Sequence, residues 1–196
     1  MIDVYISELP DKVLGELLVT KERQSEIDAI SNERVRREKY YVWRLLEYAL
    51  KNSLGVSIAD AELKKGDTGK WTSSVCELSL SHSGKALAVA LSDNAVGVDV
   101  ERIRIRSLGK MAEHILTERE REEYSNIPSE RKQEHLICKW CQKEAIFKLQ
   151  NLKSFNPSKT ETGDFFCQTD SVEMCGEKYI LSVAAKKEEK IRFFKK

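Results

Sequence analysis

Two short runs, Gly97-Val98-Asp99-Val100-Glu101 and, about 40 positions later, Trp140-Cys141-Gln142-Lys143-Glu144-Ala145-Ile146-Phe147-Lys148, constrain this chain more than any other feature. The first alternates carboxylates with valines, the period of a strand, so Asp99 and Glu101 leave one side of a sheet and Val98 and Val100 the other. In the second, Trp140, Lys143, Glu144, Phe147 and Lys148 recur at spacings of three and four, the period of a helix, with Glu144 and Lys148 on one face. A helix packed beside that strand brings three carboxylates and an ammonium together. Three oxygen ligands suit a hard divalent cation such as Mg²⁺, and a lysine alongside suits a phosphate ester. Each half alone has a plainer explanation. Glu144 and Lys148 make an i,i+4 surface pair worth about 0.3–0.5 kcal/mol. Asp99 and Glu101 make a solvated strand face, although two carboxylates on a central, valine-rich strand cost free energy unless paired or metal-bound.

The chain has 196 residues, enough for one large domain or two small lobes. A formal net charge of +1 gives no electrostatic case for a nucleic-acid or anionic-membrane partner. No apolar run approaches the length that spans a bilayer, and Met1-Ile2-Asp3-Val4-Tyr5-Ile6 reads as a first strand, not a signal peptide. Five scattered cysteines argue for a reducing compartment over a disulfide framework, and the expected location is cytoplasmic. Cys138-x-x-Cys141, with His135 before it, lies in a helical stretch with no second ligand pair, so it reads as packing more than as a zinc site.

Glu33-Arg34 set over Glu130-Arg131, an offset of 97, also aligns Trp43 with Trp140, Glu47 with Glu144 and Lys51 with Lys148. Leu87-Ala88-Val89-Ala90 and Leu181-Ser182-Val183-Ala184 match at an offset of 94. The simplest account is an α+β fold of two similar lobes related by a pseudo-twofold, each a small antiparallel sheet packed on a long helix. We place the lobes at residues 1–93 and 94–196, with the active site between them. Strands are expected at 2–7, 76–80, 85–92, 95–101, 164–169, 171–175 and 178–185. Helices are expected at 10–30, 32–52 ending near Gly55, 108–125 in two pieces with a capping box at Thr117–Glu120, and 129–150 with Ser129 as N-cap. Residues 60–74 read as a turn-rich loop, and Lys190–Lys196 as a solvated basic terminus.

Gly-x-Asp-x-Glu followed by Trp-x-x-Lys-Glu-x-x-x-Lys, with a Ser81-His82-Ser83 turn ahead of both, resembles the 4′-phosphopantetheinyl transferase superfamily, and within it the one-chain pseudodimers that activate surfactin synthetase. Chain length, and Glu101 two residues after Asp99, fit that type. The resemblance implies a Mg²⁺-dependent enzyme, Mn²⁺ being the other metal that oxygen ligands accept. It would move 4′-phosphopantetheine from coenzyme A to a serine of an acyl or peptidyl carrier protein and release 3′,5′-ADP. It implies Asp99, Glu101 and Glu144 as metal ligands, Glu144 and Lys148 as catalytic residues, and Arg44, Lys70, Ser81 and His82 as coenzyme A contacts. Glu144 would accept the serine proton through water, and Lys148 would neutralise the leaving phosphate. Arg102, Arg104, Arg106 and Lys110 are the candidates for meeting an acidic carrier, and the pseudodimer would work as a monomer.

The chain departs from the family after Lys148, where Leu149-Gln150-Asn151-Leu152 replaces a glycine-rich turn. Two other readings are kept: a catalytically degenerate coenzyme A- or carrier-binding module, and a Mg²⁺-dependent nuclease. The nuclease predicts a basic groove and a lysine on a strand, against a net charge of +1 and a helical Lys148.

Overall fold

The computed structural model describes residues 1–11, 20–104 and 108–196. The chain runs β1 (Ile2–Glu8), α1 (Lys21–Asp28), α2 (Glu33–Leu54), a two-residue ladder of β2 (Lys64–Lys65) and β3 (Trp71–Thr72), then β4 (Glu77–Ser83), β5 (Ala86–Ser92) and β6 (Val96–Arg102). It continues with α3 (Leu108–Ile115), α4 (Glu118–Ser125), α5 (Lys132–Gln150), β7 (Phe166–Met174), β8 (Glu177–Ala185) and β9 (Ile191–Lys195). The fold is α+β. One sheet has the order β4-β5-β1-β9, and the other β6-β8-β7.

Strand alternation builds four layers. On β5, Leu87, Val89 and Leu91 join Val42, Leu45, Leu46, Ala49 and Leu50 of α2 in one buried cluster. Ala86, Ala88 and Ala90 point the other way and, with Ile2, Val4 and Ile6 of β1, meet Val96, Val98 and Val100 of β6 and Leu181 and Val183 of β8. Small alanines opposite valines let the two sheets approach. The far face of the second sheet is covered by α5 through Ala145, Ile146 and Leu149 against Ala184, and through Ile137 and Cys141 against Ile180. The order is helix, sheet, sheet, helix.

Helix ends follow local chemistry. The Asn32 side chain accepts from the Val35 N–H, and Gly55 ends α2 at φ 69°, in the left-handed region. The capping box at Thr117 and Glu120 is present. Ser129 does not cap α5; it lies in a 3-10 turn, Ser129–Arg131, and α5 begins without a side-chain cap.

Several expectations are corrected. Ser81-His82-Ser83 is not a turn but the end of β4, paired with β5 as far as Ser83 opposite Ala86. The ladder of β2 and β3 interrupts the loop expected over 60–74. The break expected in β7 is absent: Asp170 and Ser171 pair in register with Leu181 and Ile180, because an edge strand tolerates polar residues on its solvated side. The terminus is not free in solvent. As β9 it pairs parallel with β1, which makes the first sheet mixed, not purely antiparallel. Arg192 holds both Asp3 oxygens at 2.7 Å, and Phe194 stacks on Tyr5 at 4.7 Å. Of the helix expected over 10–30, residues 12–19 lie outside the described residues; Lys21–Asp28 is helical. No described helix is long and apolar enough to cross a membrane.

Candidate active site

The site forms where α5 crosses β6. A Cβ on Gly97 would stand 1.8 Å from the Ala145 carbonyl oxygen and 2.8 Å from the Leu149 nitrogen, so only glycine lets the helix backbone come this close. The approach sets Glu144 and Lys148, one turn apart, over the carboxylate face of β6. Asp99 is 1 % exposed. The Lys148 ammonium donates to Asp99 Oδ1 at 2.7 Å, to Ser81 Oγ at 3.1 Å and to the Val98 carbonyl at 3.2 Å, and lies 3.7 Å from Glu144 Oε2.

On the other side of β6, β4 presents a ladder of serines. The amides of Val98, Val100 and Arg102 donate to the hydroxyls of Ser79, Ser81 and Ser83 at 3.0, 3.3 and 3.3 Å. Ser81 passes its own proton to Asp99 Oδ1 at 2.7 Å, and Ser83 donates to Glu101 Oε2 at 2.8 Å. One strand's side chains thus satisfy the outer edge of another and orient its carboxylates.

The charges respond to this crowding. Burial, and then the Asp99 carboxylate alongside, push Glu144 up to about 8, with Lys148 offsetting only part. Burial works against the Lys148 charge, but Asp99 and Glu144 outweigh it and hold the ammonium above its ordinary value. Burial and the neighbouring Asp99 thus favour a proton on Glu144, beside the Lys148–Asp99 contact at 2.7 Å.

Asp99, Glu144 and Lys148 are brought together directly. Glu101 shares their strand face, with one carboxylate oxygen on Ser83. Lys70 donates to the Lys148 carbonyl at 3.0 Å and so caps the end of α5; burial lowers its pKa. Lys70 and Lys148 line one cavity of about 270 Å³, with Trp71, Leu80 and Phe147 among its apolar walls. Ser81 spends its hydroxyl on Asp99 and is nearly buried. His82, on the opposite face of β4, turns to α2, where its Nδ1 lies 3.4 Å from Glu38 Oε2. Burial acts to raise Glu38, yet His82 and Arg34, the latter at 3.0 Å, hold it below its ordinary value. Arg44 is not brought to this cluster: it pairs with Glu47 at 2.6 Å, beside Lys196 at the β9 end of the sheet, whereas Ser81 and His82 are on β4 at the other edge. Arg104 is exposed, Lys110 stands on α3, and Arg106 lies outside the described residues.

After Lys148 the helix ends on Asn151 at φ 54°, the left-handed position that asparagine tolerates best after glycine. The departure from a glycine-rich turn thus keeps the helix stop. Cys141 faces the core, donating to the Asp99 and Ile180 carbonyls, and burial raises its pKa well above the ordinary thiol value.

Three features were missed from sequence: the serine ladder, Glu38 beside His82, and the burial of Lys143. The ladder had a visible signal, since Ser79, Ser81 and Ser83 alternate in step with Val98, Val100 and Arg102.

The donor chemistry fits a hard cation. Asp99 and Glu144 are oxygen donors side by side, and Asp99 Oδ2 is buried with no hydrogen-bond partner. As the side chains stand, Lys148 supplies the positive charge at Asp99, and among the described residues no three His, Cys, Asp or Glu side chains converge to hold a metal.

Residues 95–190 match the family model of the 4′-phosphopantetheinyl transferase superfamily. The matched segment runs from β6 to β8 and contains Asp99, Glu101, Glu144 and Lys148. No curated protein matches the chain.

Proposed function

We propose that this protein transfers 4′-phosphopantetheine from coenzyme A to a serine hydroxyl of an acyl or peptidyl carrier protein, releasing 3′,5′-ADP. One observation carries the reading: the Lys148 ammonium lies 2.7 Å from the buried Asp99, with Glu144 alongside, inside the segment that matches the superfamily. Phosphoryl transfer depends mainly on positioning and charge neutralisation, and a half-buried lysine among carboxylates next to a cavity suits both.

Asp99, Glu101 and Glu144 would hold the divalent cation, Mg²⁺ by preference and Mn²⁺ as the alternative. Bound there, it would offset negative charge on the coenzyme A pyrophosphate. Lys70 and Lys148 line the cavity that suits the phosphates. The carrier serine oxygen attacks the phosphorus next to the pantetheine, and the bond from that phosphorus to the bridging oxygen breaks. The serine proton would pass through water to Glu144 in its ionised form, which a bound cation would favour against the pull of burial and Asp99, and the electron pair leaves on 3′,5′-ADP, beside Lys148. His82 and Lys70 remain the proposed nucleotide contacts. We assign Ser81 to holding Asp99, and Arg44, at the far edge of the sheet, to no contact with the reacting groups. The carrier approaches from the side of Glu101 and α3, where Lys110 and Arg104 offer positive charge. We read the chain as acting alone, in the cytoplasm, with its site between an N-terminal and a C-terminal lobe.

Intact-mass spectrometry of an apo-carrier incubated with the protein, coenzyme A and Mg²⁺ tests this. The expected result is a gain of about 340 Da, the phosphopantetheine increment, lost with EDTA. Coenzyme A binding without any gain on several carriers would favour the degenerate binding module. Neither binding nor gain would overturn the reading.

A further inference from the structure

The motif helix carries a second lysine that the proposed transfer leaves unused. Lys143 stands next to Glu144 in sequence, yet it has no exposed surface. Its ammonium donates to the Ile115 carbonyl at 2.9 Å, to the Pro157 carbonyl at 2.9 Å and to the Glu120 carboxylate. Three donors meet three acceptors, and no proton is left for a substrate.

Glu120 is itself buried and fully used. One oxygen takes the Thr117 amide of the capping box at 3.0 Å. The other lies 3.2 Å from Lys139 Nζ and 3.4 Å from the Thr162 hydroxyl. Ile115 ends α3, Thr117 and Glu120 begin α4, and Pro157 and Thr162 lie in the turns after α5. One buried ion pair therefore ties three segments to the motif helix.

Helix α3 is also a wall. Lys110, Met111, His114 and Ile115 face Ile137 and Trp140 of α5 across a cavity of about 290 Å³ that includes Glu101. The phosphate-side cavity is lined by other residues, Lys70 and Lys148 among them, and shares none with this one.

We infer that Lys143 is a positioning residue for the protein acceptor: through Glu120 and the Ile115 carbonyl it fixes α3 against α5, and so sets the opening beside Glu101 that admits the acceptor serine. This rests on the transfer reading above. It separates the two substrates, because the coenzyme A side does not depend on α3.

Removing Lys143 alone would leave Glu120 buried without its cation, so the informative protein is Lys143→Met/Glu120→Gln, in which glutamine still serves the capping box. Its KM for coenzyme A and for apo-carrier, its affinity for apo-carrier without coenzyme A, and hydrogen exchange over 108–115 are compared with wild type. The expected result is exchange faster by about tenfold over 108–115, carrier KM and Kd raised by about tenfold, and coenzyme A KM within about twofold. Unchanged carrier binding with kcat lowered about a hundredfold would overturn the inference, because Lys143 would then act on the reacting groups. Unchanged exchange would overturn it as well, because the tie would not hold α3. Wild-type protein that neither binds nor modifies any carrier would sink the transfer reading itself, and exchange over 108–115 would still decide whether Lys143 holds the wall.

Discussion

Ser81 donates its hydroxyl proton to Asp99 at 2.7 Å while accepting the amide of Val100 at 3.3 Å, so one side chain joins two strands and aims a buried carboxylate. Ser81→Ala leaves the Val100 amide without an acceptor and Asp99 with Lys148 as its remaining donor. A buried group left unsatisfied costs about 1–3 kcal/mol. We expect a stability loss of that size in denaturant unfolding, with kcat lowered about tenfold and KM for coenzyme A changed less than about threefold. A large rise in that KM with kcat unchanged would return Ser81 to the nucleotide.

Gly97 is the position least able to change. A methyl group there would overlap the Ala145 carbonyl at 1.8 Å, and that carbonyl belongs to helix backbone that cannot step aside alone. Gly97→Ala should push α5 off β6 and cost more than about 3 kcal/mol, at the severe end for one substitution. Thermal unfolding reads it directly. A melting temperature within a degree of wild type would mean that helix and strand are less tightly opposed than described.

Sequence reasoning reached what local periodicity encodes. Alternation marked β6 and the inward face of Asp99 and Glu101, and spacing of three and four marked Glu144 and Lys148. It failed where tertiary contact overrides local character. Lys190–Lys196 looks like a solvated tail because its lysines are local, whereas Asp3 and Tyr5, which recruit Arg192 and Phe194, are far away in the chain. Ser81-His82-Ser83 looks like a turn because serines favour turns, yet here they find the free edge of β6. Lys143 looks like a surface or active-site lysine, and only the fold supplies Glu120 and two carbonyls to bury it. Arg44 was chosen from the family resemblance, and the fold pairs it with Glu47, near Lys196 and across the sheet from β4.

Lys148 pairs with Asp99 in the fold and, on the proposed function, also serves the transfer. Lys148→Met removes the cation from a carboxylate that is 1 % exposed. Breaking one side of such a pair costs about 3–5 kcal/mol. Lys148→Met/Asp99→Asn, with neither charge, should recover most of that loss, yet transfer should stay down by at least about a hundredfold in both variants. Chemical denaturation alongside single-turnover transfer separates the effects. Transfer that returns with stability in the double variant would make Lys148 a structural partner of Asp99 and nothing more.

Glu144 should leave a mark on stability against pH. Its carboxyl moves from 4.5 when unfolded to about 8 when folded, raised by burial and Asp99. The folded state therefore holds a proton that the unfolded state releases between those values. Protonation favours folding below pH 4.5, and that contribution shrinks as pH rises towards 8, at up to about 1.4 kcal/mol per unit. Metal-free wild type should lose melting temperature between pH 5 and 8, and Glu144→Gln, which cannot ionise, should flatten that slope. A cation held by the ionised Asp99, Glu101 and Glu144 must first displace the proton, so Mg²⁺ should stabilise wild type more at pH 8 than at pH 6 and Glu144→Gln little at either. Identical slopes in the two proteins would show that Glu144 ionises normally in the fold. Equal Mg²⁺ stabilisation of both would place the cation away from Glu144.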